Sequence, residues 1–208
     1  MPFPRFARLA SEKRERLLVV AAQEFATHGY ADASINRILE RAEMSKGAAY
    51  YYFADKLDLF GAVATYCLHE LRLIAQTPDP ATLTAATFWP TFATLHRQPL
   101  LASLERPWLF RALRVAGRLP PEGMAREPLA TLATQLRGMV LALIQRGQAL
   151  GVIRADLPDE LLFAWLDALD DASDHWLLAR WETLTADEIA RISDATVGAM
   201  RRALATGE

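Results

Sequence analysis

Residues 34–56, SINRILERAEMSKGAAYYYFADK, carry the strongest structural pattern in this 208-residue chain. Ser34 can cap a short helix whose apolar residues recur at helical spacing, and Ser45 can cap a second short helix that runs through Tyr52. Only the dipeptide Glu-Met separates the two helices. These are the dimensions of a helix-turn-helix, in which the first helix lies across the DNA backbone and the second enters the major groove, about 12 Å wide.

The residue types in this stretch suit contact with a polyanion. The helix starts at Ser34 and Ser45 offer free N–H groups and a positive dipole end to phosphate oxygens, and Gly47 lets the backbone approach DNA closely. The cationic and aromatic candidates are Lys46, Lys56, Tyr50, Tyr51 and Tyr52. A tyrosine cluster is more often structural, but inside this motif DNA contact by Tyr50 or Tyr51 is the better explanation.

Helical periodicity also dominates the rest of the chain, where no convincing strand alternation appears. A first helix is predicted from about residue 8 to residue 28, with Gly29 as its stop. Asp55 can cap a long helix that ends before Pro78. Three prolines within residues 82–113 predict short or kinked helices there.

The C-terminal half has clearer helix boundaries. Residues 120–123, PPEG, are predicted to form a loop, and a long helix follows from about residue 126 to residue 150. Pro158 suits the first turn of the next helix. Thr185 and Glu188 have the spacing of a capping box that opens the last helix. The whole pattern predicts an all-α chain of about nine helices.

Composition and charge exclude several classes of protein. Hydrophobic residues make up 52% of the chain and charged residues 23%, which is ordinary for a packed protein and too apolar for a disordered one. The single cysteine, Cys67, rules out a disulfide framework and a multi-cysteine zinc site, and is expected to be a core residue. No run of about 20 apolar residues could span a bilayer and no secretory signal is recognisable, so a cytoplasmic location is expected.

The charge of the chain is distributed unevenly. Residues 1–56 contain nine Lys or Arg against seven Asp or Glu, whereas the remainder contains fourteen against eighteen. This difference in net charge agrees with an N-terminal part that binds a polyanion, but it is too small to indicate nucleic-acid binding without other evidence.

At residues 29–60, GYADASINRILERAEMSKGAAYYYFADKLDLF, the sequence resembles the N-terminal signature of the TetR family. The shared order is a Gly-aromatic pair, a Ser-capped helix, Ser-Lys-Gly, and then a Tyr, a Phe and a Lys. The resemblance implies DNA contacts across both helices of the motif and the start of the next one. The predicted set is Ser34, Arg37, Ser45, Lys46, Gly47, Ala48, Tyr50, Tyr51 and Lys56. It also implies that Phe53 packs the recognition helix onto the helix behind it. Residues 146–156 loosely resemble C-terminal domains of the same family.

Two positions depart from the family pattern. Ala48 stands where the family often has a Thr that donates to phosphate, and Glu43 stands where it commonly has a Gly in the turn. If the turn requires a left-handed backbone, Glu43 costs about 1 kcal/mol, and its charge repels nearby phosphate.

The resemblance implies an N-terminal three-helix head with the helix-turn-helix, residues 1–56, and a larger C-terminal helical domain, residues 57–208, for effector binding and dimerisation. The two C-terminal helices should pair with those of a second copy. The two recognition helices of a homodimer then lie about 34–36 Å apart, so the double-stranded DNA operator should be a pseudo-palindrome. The expected function is repression relieved by a small, partly hydrophobic effector, with activation as an alternative.

The effector is expected to enter an apolar cavity among the middle helices. The aromatic and polar residues that could line it are Phe88, Trp89, Phe92, His96, Trp108, Phe110 and Trp165. The alternative is that these residues are core, and His96 taken alone is better explained as structural.

Asp167, Asp171 and His175 are spaced to share one face of the penultimate helix, which suggests a metal ion or a cationic effector. A solvated face is the better explanation, because ligand sets usually need a second segment. No metal and no cofactor are therefore expected. No Ser-His-Asp order, His pair or glycine-rich phosphate loop supports catalysis. A helical ligand-binding protein without DNA binding and a small all-α enzyme remain alternatives.

Overall fold

The computed structural model describes residues 2–75, 78–116, 119 and 121–206. The side chains of Lys46, Ala48, Ala49, Ala75 and Pro121 are not part of that description. Within these ranges the chain is all-α: it forms eleven α-helices and no strand. Two of the eleven have only four residues. The other nine have seven residues or more, and their number agrees with the prediction of about nine helices.

The helices up to α5 contain the helix-turn-helix. They are α1 (Pro4–Ala7), α2 (Ser11–Asp32), α3 (Ile35–Arg41), α4 (Lys46–Tyr52) and α5 (Lys56–Ala75). Caps fix two of these starts as the sequence predicts. Ser34 Oγ accepts a hydrogen bond from the Arg37 N–H at 3.4 Å, and Asp55 Oδ1 accepts one from the Asp58 N–H at 2.9 Å.

Six further α-helices and two 3₁₀ turns complete the described chain. The helices are α6 (Phe88–Ala102), α7 (Pro107–Ala116), α8 (Pro121–Met124), α9 (Leu129–Ala149), α10 (Asp159–Arg180) and α11 (Ala186–Leu204). The 3₁₀ turns are Pro80–Thr82 and Trp181–Thr183. The predicted capping box of α11 is confirmed, with reciprocal hydrogen bonds between Thr185 and Glu188 at 3.3 and 2.9 Å.

Two predicted boundaries are wrong. The first long helix does not begin at residue 8: a separate turn, α1, precedes it, and α2 continues to Asp32 even though Gly29 leaves helical geometry at φ 71°. The segment from Pro121 to Met124 is a one-turn helix instead of a loop, because proline is compatible with the first helical position. Among the prolines predicted to shorten or kink helices, Pro99 lies inside the fifteen-residue α6 and Pro107 is the first residue of α7.

The chain forms two compact units, Met1–Arg72 with Arg106–Thr134, and Leu73–Glu105 with Gln135–Glu208. In the core of the first, the rings of Phe25 and Phe60 are fully buried with their centroids 4.7 Å apart. The core of the second is an apolar cluster that includes Phe88, Ile144 and Leu162. The functional division after residue 56 stays a prediction. In the described part of the chain, no helix combines the length and apolar character needed to cross a membrane.

Candidate nucleic-acid interface

The second helix of the helix-turn-helix, α4, presents aromatic side chains to solvent. Tyr50 is 71% exposed and Tyr51 is 53% exposed, which is unusual for large aromatic residues in a packed protein. Tyr52 is half-buried and makes an edge contact with Phe6, with ring centroids 5.9 Å apart. Phe53, just after the helix, is buried, as its predicted packing role requires.

The start of α4 is accessible. Ser45 is exposed immediately before the helix, and Gly47 is exposed within its first turn. A Cβ atom at Gly47 would meet no atom of the protein within 4 Å. Close approach of backbone to another molecule therefore remains a sound reason for glycine at this position. The side chains of Lys46 and Ala48, also predicted to contact DNA, lie outside the described residues.

Glu24 is the buried centre of a polar network that joins α2 to α3. Its carboxylate accepts hydrogen bonds from the Ser34 N–H at 2.9 Å and from Arg37 Nε at 2.7 Å. Arg37 also donates to the Asp32 carbonyl at 2.9 Å. Two predicted DNA contacts, Ser34 and Arg37, therefore already have protein partners, and their roles at DNA stay predictions.

The environment of Glu24 favours its ionised form. Burial by itself would raise the pKa of Glu24, but the hydrogen bonds from Arg37 and from the Ser34 backbone outweigh it and lower the pKa below its ordinary value. Glu24 was not among the residues predicted from the sequence. The available signal was a carboxylate at position 24 on the buried side of α2, next to the apolar Phe25.

The ammonium of Lys56 is also engaged within the protein. Lys56 Nζ donates to the carbonyl oxygens of Ala31 at 2.8 Å and Ala33 at 3.3 Å, and it lies 4.9 Å from the ring centroid of Tyr30. These contacts tie the start of α5 to the segment that leads into α3. DNA contact by Lys56 stays a prediction.

The turn between α3 and α4 has the left-handed geometry considered for Glu43. Its φ is 54°, the one positive value at a non-glycine residue among the described residues. The Met44 N–H donates to the Leu39 carbonyl at 2.9 Å, which satisfies the end of α3. The carboxylate of Glu43 forms an ion pair with Arg16, so part of its charge is compensated within the protein.

An N-terminal segment, residues 3–8, packs against the end of α4, which the sequence analysis did not foresee. The Phe3 N–H donates to the Tyr52 carbonyl at 2.8 Å. Phe6 is buried, with its ring centroid 4.8 Å from that of Phe53. The available signal was the pair of phenylalanines flanking a cation in residues 3–6. The segment places Arg5 next to the exposed ring of Tyr51.

The candidate effector residues are divided between the two units. Five of them belong to the second unit, namely Phe88, Trp89, Phe92, His96 and Trp165. Phe88 and Trp89 are buried in its apolar cluster, and Phe92 and Trp165 pack against that cluster half-buried. Trp108 and Phe110 belong to the first unit, where Trp108 stacks on Tyr66 with the ring planes 5° apart. The effector role of these residues stays a prediction.

His96 has two polar partners within the second unit. Its Nδ1 lies 2.6 Å from Ser193 Oγ, and its Nε2 lies 3.0 Å from Asp170 Oδ1. These contacts connect α6 to α10 and α11 and support the structural explanation of His96. Across the ranges that the structure describes, no three His, Cys, Asp or Glu side chains are arranged to hold a metal ion.

Comparison with known proteins agrees with this geometry. Residues 17–63 match the model of the family described as bacterial regulatory proteins, tetR family. The chain is 26% identical to the HTH-type transcriptional repressor AcnR of Corynebacterium diphtheriae, over 92% of this chain and 93% of that one. It is 24% identical to AcnR of Corynebacterium glutamicum, over 92% and 94% of the two chains.

The fold resembles solved structures of the same kind. The transcriptional regulator FadR of Bacillus subtilis, in complex with stearoyl-CoA, aligns with a TM-score of 0.72 at 14% identity, covering 89% of this chain and 96% of that one. A tetR family regulator from Shewanella aligns with a TM-score of 0.71 at 19% identity, covering 94% and 99%. The chain therefore contains, at residues 17–63, the N-terminal domain of the bacterial regulatory proteins of the tetR family, and over most of its length it is similar to transcriptional repressors and regulators.

Proposed function

We propose that this protein is a transcriptional repressor that binds a pseudo-palindromic DNA operator as a homodimer and is released by a small-molecule effector. The observation that carries the proposal is the exposure of Tyr50 and Tyr51 on the short helix that follows α3 in the helix-turn-helix. Exposed aromatic hydroxyls on such a helix suit the contacts to phosphates and base edges that position a recognition helix in the major groove.

The DNA-contacting set proposed here is Ser34, Arg37, Ser45, Lys46, Gly47, Ala48, Tyr50, Tyr51 and Lys56. Within it, Tyr50 and Tyr51 have the strongest support because their rings face solvent. The relatives named AcnR are transcriptional repressors, which favours repression over activation for this chain.

Dimerisation is proposed through α10 and α11. Leu161 and Trp176 on α10 are 39% and 43% exposed. Large apolar side chains at this exposure support burial against a second copy, since isologous pairing of two helices per subunit is a common dimer arrangement.

The effector is proposed to be small and partly hydrophobic. The apolar cluster of the second unit is rich in aromatic rings, with Phe88, Trp89 and Phe92 in mutual contact at centroid distances of 5.3 to 6.4 Å. The similar Bacillus subtilis FadR structure holds stearoyl-CoA, which supports an apolar effector. An effector that binds better to a dimer with a different separation of its DNA-binding heads shifts the population away from DNA.

The first test is a binding titration with the DNA upstream of the protein's own coding region, at two salt concentrations. A repressor shifts one fragment specifically, with an affinity that falls steeply as salt rises. A folded dimer that prefers no fragment contradicts the proposal and favours a ligand-binding protein without DNA binding.

The second test removes single hydroxyls from α4. Tyr50→Phe and Tyr51→Phe should each weaken operator binding about three- to tenfold, as expected for the removal of one hydrogen bond. Tyr52→Phe is the matched control, because Tyr52 is half-buried against Phe6 and should bind as the wild type does. Equal affinity of all three variants and the wild type contradicts the assignment of the tyrosines.

Effector binding is tested separately by a thermal-shift screen with fatty acids and other hydrophobic compounds. A compound present at 100 times its Kd raises the free energy of unfolding by about 2.7 kcal/mol and so raises the melting temperature. The same compound should release the DNA fragment.

A further inference from the structure

The N-terminal segment, residues 3–8, is held against the recognition helix by backbone and aromatic contacts. The Phe3 N–H donates to the Tyr52 carbonyl at 2.8 Å. Phe6 is buried, and its ring lies 4.8 Å from Phe53 and 5.9 Å from Tyr52, measured between centroids. The position of the segment is therefore coupled to that of α4.

Arg5 lies near two aromatic rings of this arrangement. Its guanidinium carbon is 4.6 Å from the ring centroid of Phe3 and 4.3 Å from that of Tyr51. Arg5 remains exposed to solvent. A guanidinium that stacks through its flat faces keeps the N–H groups at its rim available, in the planar fork that matches two phosphate oxygens.

Several other cations of the helix-turn-helix have protein partners. Arg37 and Arg41 lie near the Glu24 carboxylate, Arg16 pairs with Glu43, and Lys56 donates to backbone carbonyls. Within the described residues, Arg5 has ring contacts and neither a hydrogen bond nor an ion pair from its side chain. Its donors are thus free to bind an anion without first breaking a contact.

We propose that the N-terminal segment is a second DNA-contacting element, in which Arg5, positioned by Tyr51 and Phe3, binds a backbone phosphate beside the groove that α4 enters. The inference rests on the proposed function. A phosphate is favoured over a base edge because α1 is a single turn packed beside the end of α4, and contacts from flanking elements fix register without reading sequence.

The experiment uses the full-length protein and a labelled duplex that the wild type selects from a random library, with a scrambled duplex of equal length as comparison. Affinities are measured at several salt concentrations for the wild type and for Arg5→Ala, Arg5→Lys and Arg8→Ala. Arg8 is the matched control because it is an exposed arginine in the same segment and, within the described residues, its side chain makes no ring contact.

Arg5→Ala should weaken binding to both duplexes about tenfold, which leaves the ratio of specific to scrambled affinity unchanged. The slope of log affinity against log salt should fall by about 0.9 for each phosphate that the variant no longer neutralises. Arg5→Lys keeps the charge without the planar fork and should lie between Arg5→Ala and the wild type. Arg8→Ala should change affinity by no more than about twofold.

Three results with the arginine variants overturn the inference. Equal reductions of affinity in Arg5→Ala and Arg8→Ala show that only total charge matters, and a changed specificity ratio shows a base contact in place of a phosphate contact. An Arg5→Ala variant that binds like the wild type shows that Arg5 does not touch DNA. If the wild type selects no sequence, the proposed function itself fails and the inference fails with it.

Phe3→Leu keeps every charge and removes one of the two rings that hold Arg5. It should weaken affinity partially, about two- to fourfold, with unchanged helicity by circular dichroism. This variant keeps the test valid if Arg5→Ala alters folding, and wild-type affinity in Phe3→Leu contradicts the positioning role of the ring.

Discussion

The Glu24 carboxylate and the Arg37 guanidinium connect α2 to α3 across thirteen positions of sequence, with Arg37 Nε 2.7 Å from Glu24 Oε1. Glu24 is 2% exposed, whereas the Arg37 side chain is 49% exposed. The same carboxylate accepts the Ser34 N–H, so one buried group orients both the cap and the first turn of α3. The start of α3, the first helix of the helix-turn-helix, is therefore fixed to α2 by this group.

Glu24→Ala should lower the free energy of unfolding by about 2 kcal/mol, because it leaves the Ser34 N–H and Arg37 without their buried acceptor. The measurement is urea denaturation followed by circular dichroism. Glu40→Ala is the matched control, since Glu40 is an exposed carboxylate on α3, and it should change stability by less than about 0.5 kcal/mol. Equal effects in the two variants contradict the role of Glu24.

The lowered pKa of Glu24 also predicts a pH dependence. Because the folded-state pKa lies below the unfolded-state value, the stabilisation is present at neutral pH and is lost as the pH falls through the folded-state pKa. The stability difference between the wild type and Glu24→Gln should therefore shrink in acid. A difference that stays constant from neutral pH down to about pH 3 contradicts the assignment.

Glu43→Gly should stabilise the protein by about 0.5–1 kcal/mol, since glycine adopts a positive φ without steric cost. The observed φ of 54° supports this expectation. The substitution removes the ion pair with Arg16, but both side chains are largely exposed and the pair contributes little. Glu43→Asn removes the same charge, and because Asn tolerates the left-handed region less freely than Gly, it should gain only part of this stabilisation. In thermal melts, Glu43→Gly should have the highest melting temperature, Glu43→Asn an intermediate one and the wild type the lowest.

The sequence predicted the local part of this fold better than its long-range part. The caps at Ser34, Asp55 and Thr185 each depend on residues within three positions, and each was found at the predicted place. The Glu24 network and the docking of Phe6 join segments that are distant along the chain, so no spacing rule reveals them. The same limit applies to the site: the exposed α4 was predicted, but Arg5 was not.

Gly147→Ala should destabilise the protein by about 1–3 kcal/mol through overpacking. A Cβ atom at Gly147 would lie 2.7 Å from Ile153 Cδ1 and 2.9 Å from Phe88 Cζ, and both of those side chains are buried. Gly138 lies in the same helix, α9, and a Cβ atom there would meet no atom within 4 Å. Gly138→Ala should therefore stabilise by about 0.5–1 kcal/mol through helix propensity. In urea denaturation, the free energy of unfolding should therefore fall in Gly147→Ala and rise in Gly138→Ala.

Cys67 should behave as an inert core thiol in the folded protein. It is fully buried, and burial is the main cause that raises its pKa to about 12, so the reactive thiolate is scarce at neutral pH. A thiol-reactive probe such as a disulfide reagent should label the native protein only as fast as the surrounding helices open, and at once in denaturant. Rapid labelling in the absence of denaturant contradicts the burial of Cys67. Slow labelling makes the same cysteine a direct reporter of opening, which an effector bound to the folded state should retard further.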